Sequence, residues 1–122
     1  MARAEVYFYE GEDGSLPLIQ WLDEQPKKVQ LKCIERISRL AEKGHQLHGP
    51  EGDYLRDGIY ELRASHQGVH YRILYFFAGR GIVVLSHGIT KEREIPSKEI
   101  DRAIRRKQQV ETDFKRFTRK PA

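Results

Sequence analysis

The pattern of apolar and polar positions is clearest over residues 58–91, which read as three consecutive strands joined by tight turns at Gln67-Gly68 and Gly79-Arg80-Gly81. The rest of the chain arranges itself around that meander. Residues 3–10, Arg-Ala-Glu-Val-Tyr-Phe-Tyr-Glu, form an aromatic-rich first strand that ends in a loop at residues 11–14. Residues 15–24 predict a short helix, with Pro17 in its first turn and Leu18, Trp21 and Leu22 at helical spacing. Pro26 starts a longer helix whose stripe is Val29, Cys33, Ile34, Ile37, Leu40 and Ala41, with Gly44 as its stop. Lys27, Lys28, Lys32, Arg36 and Arg39 fall mainly on its outer face. Residues 44–57 hold three glycines and a proline and predict a loop. After the meander, Pro96-Ser97 opens a last helix. Its inner face is Ile100, Ala103, Ile104, Val110, Phe114 and Phe117, with Lys107 laid along it by its stem. Arg102, Arg105 and Arg106 take its outer face, and residues 118–122 read as a frayed basic tail. The order β-α-α-β-β-β-α predicts one α+β domain over residues 1–117, a small antiparallel-rich sheet packed against helices.

The first hairpin fixes its own register. A two-residue Gln67-Gly68 loop pairs His66 with Val69, Ser65 with His70, Ala64 with Tyr71, Arg63 with Arg72, Leu62 with Ile73 and Tyr60 with Tyr75. Tyr60, Leu62, Ala64, Tyr71, Ile73 and Tyr75 then share an apolar face turned to the helices, and Glu61, Arg63, Ser65, His70 and Arg72 share the other. A Gly79-Arg80 loop would add His87 beside Arg72, giving a row of Arg63, Arg72 and His87; a three-residue loop would turn His87 away. Lys91 and Arg93 fall at the mouth of the same face.

Composition narrows the class. A chain of 122 residues, 39% of them hydrophobic, can bury one two-layer core. The apolar runs are too short to span a membrane, and the N-terminus lacks a secretory profile, so a cytoplasmic location is expected. Cys33, the one cysteine, lies on a helix stripe and reads as a small core residue in a reducing compartment. Trp21 likewise reads as core rather than as a base-stacking platform. Residues 91–122 carry 11 Lys and Arg against 6 Asp and Glu, a net of +5, whereas the first 90 carry 11 against 12. That surplus suits a polyanion or an acidic protein, though a solvated helix face with a basic tail would carry it too. His45 and His48 lie three apart in the loop, too few ligands for a metal site, and neither cofactor nor metal is expected.

Arg63 opposite Arg72 opposes folding unless something compensates. Glu61, diagonal on the same face, could make a structural Arg-Glu-Arg cluster. Alternatively, two guanidinium forks could seat a phosphate. Two histidines beside clustered cations also supply what metal-free RNA cleavage requires. The 2′-hydroxyl must lose a proton, the leaving 5′-oxygen must gain one, and cations must hold the charge that develops. His70 and His87 are the candidates for moving protons.

The ordered set Gly58-Ile-Tyr-Glu-Leu-Arg63, Tyr71-Arg72-Ile-Leu-Tyr75, Ile82-Val-Val-Leu-Ser-His-Gly88, Lys91 and Pro96-Ser-Lys-Glu-Ile100-Asp-Arg-Ala103 resembles the RelE/HigB toxins of bacterial type II toxin–antitoxin systems, closest to the HigB-like, phage-associated branch. The resemblance implies a microbial-ribonuclease-like RelE/ParE fold and metal-independent cleavage of ribosome-bound mRNA, which inhibits translation. It also implies a cognate antitoxin of helix-turn-helix, HigA-like type, with DNA reached only through that complex. It places Arg63, Arg72 and Lys91 as phosphate-binding cations and His87 where HigB-like members carry a polar catalytic group; Arg93, at the mouth of the same face, is read as a further RNA-binding cation. The chain departs from the pattern in having Ile95-Pro96 where RelE has a tyrosine, and Lys91-Glu92 where HigB-like proteins have two lysines. Two other readings stand beside this one: a ParE-like toxin acting on a topoisomerase by protein contact, and a non-catalytic RNA- or ribosome-binding module.

Overall fold

The meander forms as its alternation requires, with β3 (Ile59–His66), β4 (Val69–Phe77) and β5 (Ile82–Thr90) in consecutive antiparallel pairing. The computed structural model describes residues 3–90 and 93–121. Gln67 and Gly68 take φ of 51° and 80°, the left-handed pair of a tight hairpin, and every β3–β4 pair has the expected register.

The second turn differs. Ala78 N–H donates to Ile82 O at 2.9 Å, so Gly79-Arg80-Gly81 is a three-residue loop and Phe77 pairs with Val83. A bulge then adds Ser86 to β5, after which Leu74 pairs with His87 and Arg72 with Ile89. Loop and bulge offset one another in parity. His87 therefore keeps the Arg72 side of the sheet but stands two pairs further along, opposite Leu74, and the expected row of Arg63, Arg72 and His87 does not form.

Residues 44–57 are more than a loop. After a 3₁₀ turn at Gly44–Gln46, β2 (Gly52–Arg56) pairs with β3 through an Asp57-Gly58 turn with φ of 51° and 82°. At the other side β1 (Glu5–Tyr9) runs parallel to β5, and β6 (Thr118–Arg119), expected in a frayed tail, pairs antiparallel with β1. The result is an α+β architecture with a six-stranded, mostly antiparallel sheet in the order β2-β3-β4-β5-β1-β6.

Helices cover both faces. Against one lie α1 (Pro17–Asp23) and α2 (Lys27–Lys43), burying Leu18, Leu22, Val29, Cys33 and Leu40 on Leu62, Ile73, Tyr75, Val83 and Leu85. Ile34, expected in that stripe, is instead 52% exposed, because it lies about 100° around the helix from Cys33. Against the other face lie α3 (Ser97–Thr112) and the single turn α4 (Phe114–Phe117), burying Ala103, Val110 and Phe117 on Tyr9, Ile59, Leu74, Phe76, Val84 and Ile89. That second face is therefore apolar over one end and charged over the other. Among the described residues no helix is long and apolar enough to cross a membrane.

Trp21 is half-buried where α1 crosses β5, with its ring against Gly88 and its Nε1–H donating to Thr90 Oγ1 at 3.2 Å. A Cβ on Gly88 would stand 2.0 Å from Trp21 Cδ2. Gly88→Ala should therefore cost about 3 kcal/mol, read as a lower urea midpoint with an unchanged m-value.

Candidate functional site

β3 outruns β2. Past Leu62 its outer edge has no strand partner among the described residues, and α2 caps it instead. Arg36 Nε donates to Arg63 O at 2.9 Å, and Lys32 Nζ donates to Ser65 O at 2.9 Å. These two cations, expected on the outer face of the helix, thus reach over the sheet edge. Arg39 is also drawn in, donating from Nε and Nη2 to Glu51 at 3.0 and 3.2 Å.

The same overhang bounds an open hollow of about 640 Å³ on the charged end of the sheet, lined by Lys32, Arg36, Arg63, Ser65, His70 and Arg72, with Glu35 and Pro50. Arg63 is tethered by its Nε–H to Pro50 O at 3.1 Å. Beneath it Glu61, 5% exposed, stands 3.6 Å from Arg63 Nη1 and 3.5 Å from Arg72 Nε. Both sequence readings of the arginine pair thus share one place: the Arg-Glu-Arg cluster is present, and the guanidiniums also line an open cavity. Burial holds the Glu61 carboxyl above the usual carboxylate range, although Arg72 and Arg63 both pull it down. Among the described residues Glu61 Oε1 and Arg72 Nε are buried without a hydrogen bond, so this ion pair holds by charge. His70 Nδ1 lies 3.0 Å from Ser65 Oγ, and its Nε2 has no hydrogen bond among the described residues.

His87 is elsewhere. It is 6% exposed, with Ser86 Oγ 2.7 Å from Nδ1 and Glu99 Oε1 3.0 Å from Nε2. Both nitrogens are satisfied by a neutral ring that accepts from Ser86 and donates to Glu99. Burial first, and Arg106 second, lower its pKa to about 4 against the pull of Glu99. The expected histidine pair is therefore split, and only His70 joins the arginines. Arg93 is exposed and does not line the hollow, and Lys91 lies outside the described residues. Cys33 is buried and its thiol is pushed up to about 11, as befits a core residue. His45 stacks on Phe77 with ring centroids 3.5 Å apart, and among the described residues no cluster of three or more His, Cys, Asp or Glu could hold a metal ion.

Arg106, expected on the outer face of the last helix, turns inward. Its guanidinium lies 4.8 Å from the centre of the Tyr9 ring, with Nη1 3.5 Å from Ser86 O and Oγ. The C-terminal charge surplus is also largely spent within the molecule. Arg116 pairs with Glu12 at 3.6 Å, Arg119 with Glu10 at 2.9 Å and Lys120 with Glu5 at 3.9 Å. Sequence reasoning missed Lys32 and Arg36 as lining residues. Their spacing of four on α2 marked only a charged face, and nothing local shows that the face overhangs a sheet edge.

No match is found among curated proteins. The model of one family, described as phage-derived protein Gp49-like (DUF891), matches residues 20–108, a span running from α1 through the meander and its arginine hollow into α3. The chain, with its α+β fold and that hollow, belongs to this Gp49-like family, a RelE-like toxin family.

Proposed function

We propose that the chain is the toxin of a HigB-like type II toxin–antitoxin pair, and that it cuts ribosome-bound mRNA without a metal. The observation that supports this best is the convergence of Arg63, Arg72 and a His70 Nε2 without a hydrogen bond among the described residues in one open, positively charged hollow. Arg63 and Arg72 would hold the scissile phosphate through their forks. As the 2′-oxygen bonds to phosphorus, the P–O5′ bond breaks and a 2′,3′-cyclic phosphate forms. His70 Nε2 takes the 2′-hydroxyl proton or supplies one to the leaving 5′-oxygen, with water or another group serving the second transfer. Lys32 and Arg36 add positive potential as charge builds on the phosphoryl oxygens. Lys91 is assigned to phosphate contact by the resemblance, and Arg93 only by its place in the sequence at the mouth of that face. The partners in this reading are a helix-turn-helix, HigA-like antitoxin, mRNA and the ribosome, in the cytoplasm.

The test is to express the chain and its Arg63→Gln variant in growing cells and map mRNA 5′ ends. Discrete cuts in translated messages, reduced at least about tenfold by the variant, are expected. Intact mRNA accompanied by broken or supercoil-altered DNA would overturn the nuclease in favour of topoisomerase poisoning. RNA retained on the protein but uncut would leave a binding module.

A further inference from the structure

Past Leu85, β5 has no strand partner on the β1 side among the described residues, and α3 flanks the gap. A hollow of about 560 Å³ opens there, lined by Arg102, Arg105, Arg106, Gln108, Gln109 and Thr112 of α3 together with Tyr9 of β1. Among the described residues no carboxylate lines it. Tyr9 O–H donates to Gln109 Oε1, which leaves the amide NH₂ of Gln109 as a donor. Arg102 is held 3.3 Å from Glu99, but Arg105 and Arg106 have no carboxylate within 4.0 Å among the described residues. Arg106 is half-buried; the Tyr9 side chain and the more distant charge of Glu99 offset part of its burial, and beside them it has two long approaches at 3.5 Å among the described residues. A buried cation so thinly partnered is costly to a fold that has no use for it. Burial lowers the Arg106 pKa from its ordinary range, the mark of a charge short of compensation.

We propose that this hollow is a second anion site, built for the phosphate group of a nucleotide and separate from the Arg63–Arg72 hollow. Three guanidiniums at i, i+3 and i+4 of one helix present several planar forks to one point, which suits a tetrahedral dianion with three or four acceptor oxygens better than a single carboxylate. An adjoining hollow of about 250 Å³ shares Arg102 and Arg106 and contains Trp21, Gln20 and Glu24. Glu24 lines only that smaller space, so the anion sits on the Arg105 side. The site does not depend on whether the chain cuts RNA.

Trp21 is the only tryptophan and stands beside the shared arginines, so its fluorescence reports occupancy. The full chain is titrated with inorganic phosphate, then with a short oligoribonucleotide with and without a 5′-phosphate. Saturable binding of phosphate is expected, weakened at least about tenfold by Arg106→Gln and several-fold by Arg105→Gln, an exposed position that leaves the fold intact. Arg63→Gln, in the other hollow, should leave it unchanged. Competition by the unphosphorylated oligonucleotide assigns the seat to an RNA backbone. Competition only by the 5′-phosphorylated form assigns it to a terminal phosphate, and phosphate binding that neither oligonucleotide displaces assigns it to a small free phosphate ester. Phosphate binding that survives both Arg105→Gln and Arg106→Gln, or that is abolished by Arg63→Gln, overturns the proposal.

Discussion

Arg72→Ala should lower the unfolding free energy by about 3 kcal/mol at neutral pH, and adding Glu61→Gln should return most of that loss. The reason is the burial of Glu61, which is 5% exposed and has two guanidiniums 3.5 and 3.6 Å away as its main compensation among the described residues. Removing one leaves a buried carboxylate with half its support. The estimate takes the lower end of what breaking a buried pair costs, because Arg63 stays. The deficit should also depend on pH. Burial already raises the Glu61 pKa in the folded protein, so the carboxylate disfavours the fold progressively as pH rises through that value. Without Arg72 the folded pKa rises further. The variant should therefore lie furthest below the parent at neutral pH and approach it in acid, where Glu61 is protonated in both. Urea unfolding at pH 7 and pH 4.5 measures this. A deficit that grows in acid, or one that Glu61→Gln fails to reduce, would show that Glu61 is not the cause. The RNA cleavage proposed above should fall with Arg72→Ala by about a hundredfold or more, since one of two phosphate forks is gone.

How much of this was legible in the sequence depends on whether the deciding interaction is local. The first hairpin was fully readable, because Gln67-Gly68 selects a turn type and the turn selects the register that sets Arg63 opposite Arg72. By the same reasoning Asp57-Gly58 between Tyr54-Leu55 and Ile59-Tyr60 announces the β2–β3 hairpin. The glycines and proline that precede it conceal that cue by making residues 44–57 look uniformly loop-like. The run Ile73-Leu74-Tyr75-Phe76 is buried throughout and does not alternate, as expected of a strand covered on both faces. It was the available sign that α3 would cover half of the charged face. The Ser86 bulge leaves no such trace. One extra residue moves His87 a full pair along β4, and no count of positions along the strand contains it. The pairing of Arg116, Arg119 and Lys120 with Glu12, Glu10 and Glu5 is hidden for another reason: it joins the two ends of the chain, and only the β1–β6 contact brings them together.

His87 should stay neutral across the physiological range and make the fold sensitive to acid. Its ring is buried, faces the Arg106 guanidinium, and already uses both nitrogens in the neutral form, so a proton arriving at Nδ1 would break the bond from Ser86. The sign follows from the depressed pKa. The unfolded chain takes up a proton near pH 6.5, while the folded chain resists until about pH 4, so stability is full above 6.5 and is lost as pH falls through that interval. A displacement of that size corresponds to roughly 3 kcal/mol. His87→Gln, which keeps a donor toward Glu99 but cannot titrate, should flatten that part of the stability curve. Arg106→Gln should move the His87 titration upward by removing a nearby positive charge. NMR titration of the His87 ring beside urea unfolding between pH 4 and 7 decides the matter, and a ring that titrates near 6.5 in the folded protein would defeat the prediction. If the ring stays neutral, His87 cannot donate a proton at cellular pH, and the proton transfers of the proposed cleavage rest on His70, whose Nε2 has no hydrogen bond among the described residues.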